Sequence, residues 1–280
     1  MPSVTAEQVK KLRETTGAGI MDCKKALEEA EGDFDKAIEI LRKKGHKMAA
    51  ARQARDANEG AVFAATSPAE GHLLLLACET DFVAKNEAFQ GFGKNLVELA
   101  LGQRVKTLEE LLGLTWEGLP VSEHLVQLVS RIGEKIEIAR WARLEGEYVT
   151  AYIHLGGRIG VLVALKGTAE VPPEKLHEVG QNIAMQIAAL RPVSVDRTSV
   201  PIELIEKEKE IARAQARAEG KPEAVLEKIA TGKLEKFFKE VVLLEQEYFQ
   251  DPQKTVEQYL KSVSPKLGVA GFVRFQVGGK

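Results

Sequence analysis

One pattern occurs twice in this chain: a pair of strand-length apolar runs followed by a helix-length segment. The first pair occupies residues 61–66 and 73–78 and leads into a helix expected over 85–101. The second occupies 148–155 and 158–165, joined across Gly156-Gly157, a dipeptide suited to a two-residue hairpin turn. A helix over about 173–190 follows it. Runs as short and as continuously apolar as 73–78 read as buried strands. Strands arriving as hairpins, rather than alternating singly with helices, predict an α+β fold whose core is two related hairpin-plus-helix subdomains.

The flanking segments read differently. In residues 1–45, Thr5 and Gln8 fit a capping box, with Val4 and Val9 placed as a hydrophobic staple. Gly17 and Gly19 break that first helix, a second is expected over about 21–30, and Gly32-Asp33 supplies a stop and a new N-cap. Phe34, Ala37, Ile38 and Leu41 then mark one face of a third helix, which Gly45 is expected to end. Residues 42–55 carry Arg42, Lys43, Lys44, Lys47, Arg52 and Arg55 and no acid. They read as a helical linker with a basic face, either a solvated connector or a dock for an acidic or phosphate surface.

Within 199–245, Pro201 opens a charge-dense helix, Gly220-Lys221-Pro222 turns the chain, and a second helix presents Leu226, Ile229, Leu234, Phe237, Phe238 and Val241. Helices joined by so short a break run antiparallel. The first arm has a thin stripe of Leu204, Ile211 and Ala218, which predicts a protruding coiled-coil-like hairpin. A helix over 254–260 and a strand over 269–277 close the chain. The expected division is 1–55 for the N-terminal module and linker, 56–141 for the first core subdomain, 142–198 with 246–280 for the second, and 199–245 for the inserted hairpin.

Chemistry is scarce. No phosphate-cradling Gly-x-x-x-x-Gly-Lys-Ser/Thr occurs, and the five histidines (His46, His72, His124, His154, His177) are scattered without metal-site spacing. Two cysteines, Cys23 and Cys78, build neither a disulfide framework nor a zinc site and suit a reducing compartment. A formal charge of −2 offers no global basic field for nucleic acid. The start of the chain lacks a signal-peptide pattern, and no apolar run approaches the roughly 20 residues that span a bilayer. The composition therefore predicts a cytoplasmic protein that is not an enzyme, with no catalytic, cofactor-binding or metal-binding residue, no membrane and no direct nucleic-acid contact.

What remains is a corner. Residues 79–86 follow the buried run directly and set a carboxylate beside a large ring, Asp81 and Phe82, where strand passes into helix. Two accounts stay open on the residues alone. Asp81 caps the helix and Phe82 joins the core, or the pair is a wedge that prises at another protein. Met21 and Lys24, three positions apart, share a helix face and read either as core and solvated charge or as a docking pair. His154 is either an incidental turn-side residue or a contact.

Thr80-Asp81-Phe82-Val83-Ala84-Lys85 resembles the hallmark motif of the elongation factor Ts family, the guanine-nucleotide exchange factors for elongation factor Tu. TGAGIMDCKKAL at 16–27, RIGVLV at 158–163 and GFVRF at 271–275 agree with that family in the same order. The resemblance implies a ubiquitin-associated-like N-terminal module and a partner, elongation factor Tu, bound in its GDP and nucleotide-free forms. It makes Thr80, Asp81, Phe82 and Val83 the element that intrudes near the partner's Mg2+. Ile20, Met21 and Lys24 become a dock on the partner's G domain, Ile132 and Gly133 a further contact segment, and His154 a contact outside the nucleotide site. The hairpin arm is open to three uses: pairing with its twin in a homodimer or 2:2 complex, touching the partner, or projecting alone. Departures are Gln186, where many members carry His, residues 243–249, and an expected lack of the extra C-terminal module seen in some members. A scaffold that binds without affecting nucleotide release and an RNA-binding role for 42–55 with the helical hairpin are the competing readings.

Overall fold

Thr5 starts the fold as its spacing predicts: its hydroxyl accepts from the Gln8 N–H at 3.2 Å and the Gln8 side chain accepts from the Thr5 N–H at 2.9 Å. The computed structural model describes residues 4–279. It begins with three helices, α1 (Ala6–Thr16), α2 (Ile20–Glu29) and α3 (Phe34–Arg52). They enclose a small core of Val9, Leu12, Cys23, Ala26, Leu27, Ala37 and Leu41.

Gly45 does not end α3, contrary to the expectation. The helix runs through it, and the missing side chain serves packing instead. A Cβ there would stand 3.3 Å from Val126 Cγ1 and 3.6 Å from Ser130 Cβ, so the glycine lets a later helix close on α3. The basic run on α3 and beyond is largely neutralised within the chain. Arg42 pairs with Glu123, Lys43 with Glu39, Lys44 with Asp22 and Arg55 with Glu79. That weakens the case for a nucleic-acid face.

The chain continues through β1 (Glu59–Ser67), β2 (Glu70–Cys78), α4 (Asp81–Ala84), α5 (Glu87–Gly102), α6 (Leu108–Gly113), the short pair β3 (Thr115–Trp116) and β4 (Leu119–Pro120), α7 (Val121–Ile132) and β5 (Ile136–Glu145). The first sheet is antiparallel in the order β1-β2-β5. The strand β5, which the sequence reading did not anticipate, extends past the expected division after residue 141. Every residue of β2 is buried, which is why its stretch 73–78 reads as an unbroken apolar run; Glu70 and His72 are buried at its start as a hydrogen-bonded pair. Leu74, Leu76 and Cys78 face α5 and α7, while Leu73 and Leu75 face the other way.

The second sheet is built from β6 (Tyr148–His154) and β7 (Ile159–Lys166), then α8 (Pro173–Leu190) packs across it. After the arm formed by α9 (Ile202–Ala218) and α10 (Glu223–Val241) come β8 (Glu247–Tyr248), β9 (Asp251–Thr255), α11 (Val256–Val263) and β10 (Gly268–Gln276). The order is β10-β7-β6, antiparallel throughout. The turn between β6 and β7 is longer than predicted: His154 pairs with Ile159, so residues 155–158 make the connection. Leu155, Gly156 and Gly157 all take positive φ there, at 50°, 64° and 99°. The glycine pair is needed for a left-handed stretch rather than for a two-residue turn.

The two sheets meet face to face through Val62, Leu73, Leu75, Leu162, Phe275 and Val277. Helices cover both outer faces, giving a helix–sheet–sheet–helix stack. The arm departs and returns at one point, where Ser194 and Val242 form a parallel bridge. Its seam keeps only part of the expected stripe: Leu204 packs against the cluster of Val200, Phe238 and Val242, but Ile211 and Ala218 are exposed and Ala212 and Ala216 are buried instead. Small residues on the seam let the two helices approach closely, against Leu226 and Ala230. Among the described residues no helix is long and apolar enough to cross a membrane.

Candidate functional site

The corner after β2 is a single helical turn. Thr80, not Asp81, is its N-cap, in extended conformation with its hydroxyl accepting from the Val83 N–H at 3.4 Å. Val83 and Ala84 point into the first core, each 8% exposed, and hold the turn down. Phe82 is thereby thrown outward and is 81% exposed. It is neither staple nor core, so the bland account of the ring does not stand. Asn86 starts the next helix by accepting from the Ala88 N–H at 2.9 Å, which is why the expected helix over 85–101 is separated from this turn.

Asp81 is half exposed, and its carboxylate accepts from Lys85 Nζ at 2.7 Å. That lysine holds the carboxyl below the usual aspartate range, so the tip carries a fixed negative charge beside an exposed ring. Under the tip, Cys78 Sγ donates to the Thr80 carbonyl at 3.2 Å. Burial pushes this thiol up to about 12, which removes it as a nucleophile at neutral pH.

The corner between α7 and β5 meets the base of the tip. Gly133 ends α7 in left-handed conformation, φ 86°, and its N–H donates to the Val129 carbonyl at 2.9 Å. The reversal delivers Glu134 and Lys135 to the tip. Glu134 accepts from the Thr80 N–H at 3.1 Å and the Thr80 hydroxyl at 2.8 Å. Glu79 accepts from the Lys135 N–H at 2.6 Å and from Arg55 Nη1 at 3.1 Å. Ile132 is partly buried against the same core. The structure thus joins Thr80–Val83 to Ile132–Gly133. Reading the sequence missed Glu79, Glu134 and Lys135 and placed Arg55 only on the basic face of the linker, where its acidic partner is Glu79 of this chain; the only other signal was that Glu79 and Glu134 adjoin residues already singled out.

The other expected residues stand elsewhere. Ile20 and Met21 open α2 on the N-terminal module, 56% and 62% exposed, so Met21 is not core; Cys23, Ala26 and Leu27 fill that place. Lys24 is exposed on the same helix, 3.8 Å from Glu28. His154 ends β6, its Nδ1 2.7 Å from the Tyr152 hydroxyl. Its neighbours Ile153 and Leu155 are exposed apolar residues that the sequence did not flag. The expected residues therefore form three patches: the module, the tip with the Gly133 corner, and the β6–β7 turn. Among the described residues no three His, Cys, Asp or Glu side chains gather as a metal site. The arrangement presents apolar anchors and one placed charge, which is the equipment of a protein-binding surface.

The comparisons with known proteins agree on one family. The family model described as "Elongation factor TS" matches residues 79–279. Elongation factor Ts of Amoebophilus asiaticus is 48% identical over 278 residues, covering 99% of each chain. That of Cytophaga hutchinsonii is 45% identical over 280 residues, covering 99% of this chain and all of its own. That of Chlorobium phaeobacteroides is 43% identical over 290 residues with the same coverage.

Proposed function

This chain belongs to the elongation factor Ts family, and from that premise we propose that it is a guanine-nucleotide exchange factor that binds elongation factor Tu and promotes GDP release during translation elongation in the cytoplasm. The observation that carries the reading is Phe82: a large ring, 81% exposed, on a turn whose next two residues are buried. An exposed ring on a rigid mount gains free energy only when a partner covers it.

Asp81 and Phe82 enter the partner and shift the elements that support its Mg2+. Moving a divalent ion away from a diphosphate removes one of the largest local charges in that site. Linkage completes the account. A factor that binds the nucleotide-free partner more tightly than the GDP-bound one weakens GDP affinity by the same ratio. Ile20, Met21 and Lys24 on the module, Ile132 and Gly133 at the corner, and His154 at the β6–β7 turn supply the affinity that seats the tip. Thr80 caps the tip's turn and Val83 anchors it from within. The module is of ubiquitin-associated type, and the arm meets a second copy, in a homodimer or 2:2 complex, meets the partner, or projects alone. The protein acts by binding alone and carries out no bond chemistry.

The test is catalytic turnover. Substoichiometric protein added to elongation factor Tu loaded with labelled GDP, at physiological Mg2+, is expected to accelerate label loss by many turnovers per molecule. Binding without acceleration would leave a scaffold and refute the exchange reading.

A further inference from the structure

A helix of four residues has no stability of its own, because nucleation costs more than a single turn returns. The direction in which α4 (Asp81–Ala84) aims Phe82 must therefore be imposed from outside. Val83 and Ala84 resist lifting, but two small buried side chains do not fix rotation of the turn about its own base. The polar contacts that can do so are reciprocal. Glu134 takes both the main-chain N–H and the hydroxyl of Thr80, at 3.1 and 2.8 Å. Glu79, one residue earlier, takes the N–H of Lys135 at 2.6 Å. Each segment's carboxylate holds the other's backbone, so the attachment has two points and an orientation.

The clamp continues into the linker after α3. Arg55 Nη1 donates to both oxygens of Glu79, at 3.3 and 3.1 Å, and Lys135 Nζ donates to the Arg55 carbonyl at 3.0 Å. Lys135 Nζ also lies 3.1 Å from Glu137.

Resting on the wedge reading above, we infer that Glu134 and Glu79 are positioning residues that set the aim of Phe82 and so govern the maximum rate of exchange rather than affinity for the partner. Neither needs to touch the partner or its nucleotide. They act through Thr80 and through the Lys135 backbone. Charge-assisted bonds to backbone amides are the stronger class of hydrogen bond, and a small misplacement of a working group is costly.

The experiment measures exchange rate against concentration of factor for wild type, Glu134→Ala, Glu134→Gln, Phe82→Ala and the double variant Glu134→Ala/Phe82→Ala. Glu134→Ala is expected to lower the maximum rate about tenfold while leaving the half-saturating concentration within about twofold. Glu134→Gln keeps one acceptor oxygen and recovers part of the rate, a graded rescue that general loss of fold would not give. The double variant is expected to be no slower than Phe82→Ala, because a residue that only aims a ring has nothing to do once the ring is gone. Glu79→Ala, which removes the acceptor of the Lys135 N–H, provides the same comparison should Glu134→Ala fail to fold. A normal rate for Glu134→Ala and Glu79→Ala alongside a slow Phe82→Ala overturns the clamp and leaves the wedge intact. Multiplying losses in the double variant, or a loss confined to half-saturation, overturn it as well. A normal rate for Phe82→Ala overturns the wedge reading and the clamp with it.

Discussion

Truncating Phe82 to alanine separates what the ring does for the fold from what it does for a partner. The ring is 81% exposed, so only about a fifth of its burial free energy is already spent inside the molecule. Full burial of such a side chain is worth about 1.5–3 kcal/mol, so the fold loses about 0.3–0.6 kcal/mol and a partner stands to lose about 1.2–2.4 kcal/mol. At about 1.4 kcal/mol per decade the second figure is an exchange rate roughly 7- to 50-fold slower. The assay is stopped-flow release of fluorescent GDP from elongation factor Tu against excess unlabelled nucleotide, with a thermal melt of the free variant beside it. A slowed release and a nearly unchanged melt support the wedge. An unchanged release rate, or a slowed one matched by large destabilisation, refutes it.

Two further perturbations test the packing beneath the site. Gly93→Ala lies inside α5 (Glu87–Gly102), where helix propensity alone favours alanine by about 1 kcal/mol. The added Cβ would sit 2.2 Å from Phe63 Cε2, so overpacking wins and denaturant unfolding is expected to show a net loss of about 1–3 kcal/mol; a stabilised variant would contradict the packing. Acid is expected to weaken the fold in two stages. Burial holds fully buried His72 below its ordinary value of 6.5, so stability falls as pH drops below 6.5, where the unfolded chain takes up the proton first. Arg143 holds Glu70 below its ordinary 4.5, so the stability it contributes is whole above 4.5 and lost as pH falls through the lower folded value. Melting temperature against pH for wild type and His72→Gln checks this: the variant should lack the first decline, and identical slopes would sink the assignment.

The sequence was most legible where a strand is buried on both faces. β2 (Glu70–Cys78) and β7 (Ile159–Lys166) are central in their sheets and sandwiched, so their apolar runs are nearly unbroken. β5 (Ile136–Glu145) escaped because it is an edge strand whose Glu137, Arg140, Arg143 and Glu145 dilute any alternation. Gly45 was misread for a physical reason: a glycine that permits close helix contact and one that ends a helix look identical in one dimension. The residues of the tip were nameable, but the exposure of Phe82 was not, since an aromatic beside Val83 and Ala84 looks like more core. Its supports were illegible because Thr80 and Glu134 are 54 residues apart and only the Gly133 reversal brings them together.

The helical arm leaves and rejoins the body at one closed doorway. Val193 N–H donates to the Val241 carbonyl at 2.8 Å and Leu243 N–H to the Ser194 carbonyl at 2.9 Å, so the chain segments on either side are already tied without it. An excursion sealed at its neck can melt, bend or be dragged by whatever grips its far end while the sandwich keeps its register. The molecule thus has two thermodynamic tenants under one roof, and amide exchange along 202–241 should be free to report a lower opening energy than the strands behind the door.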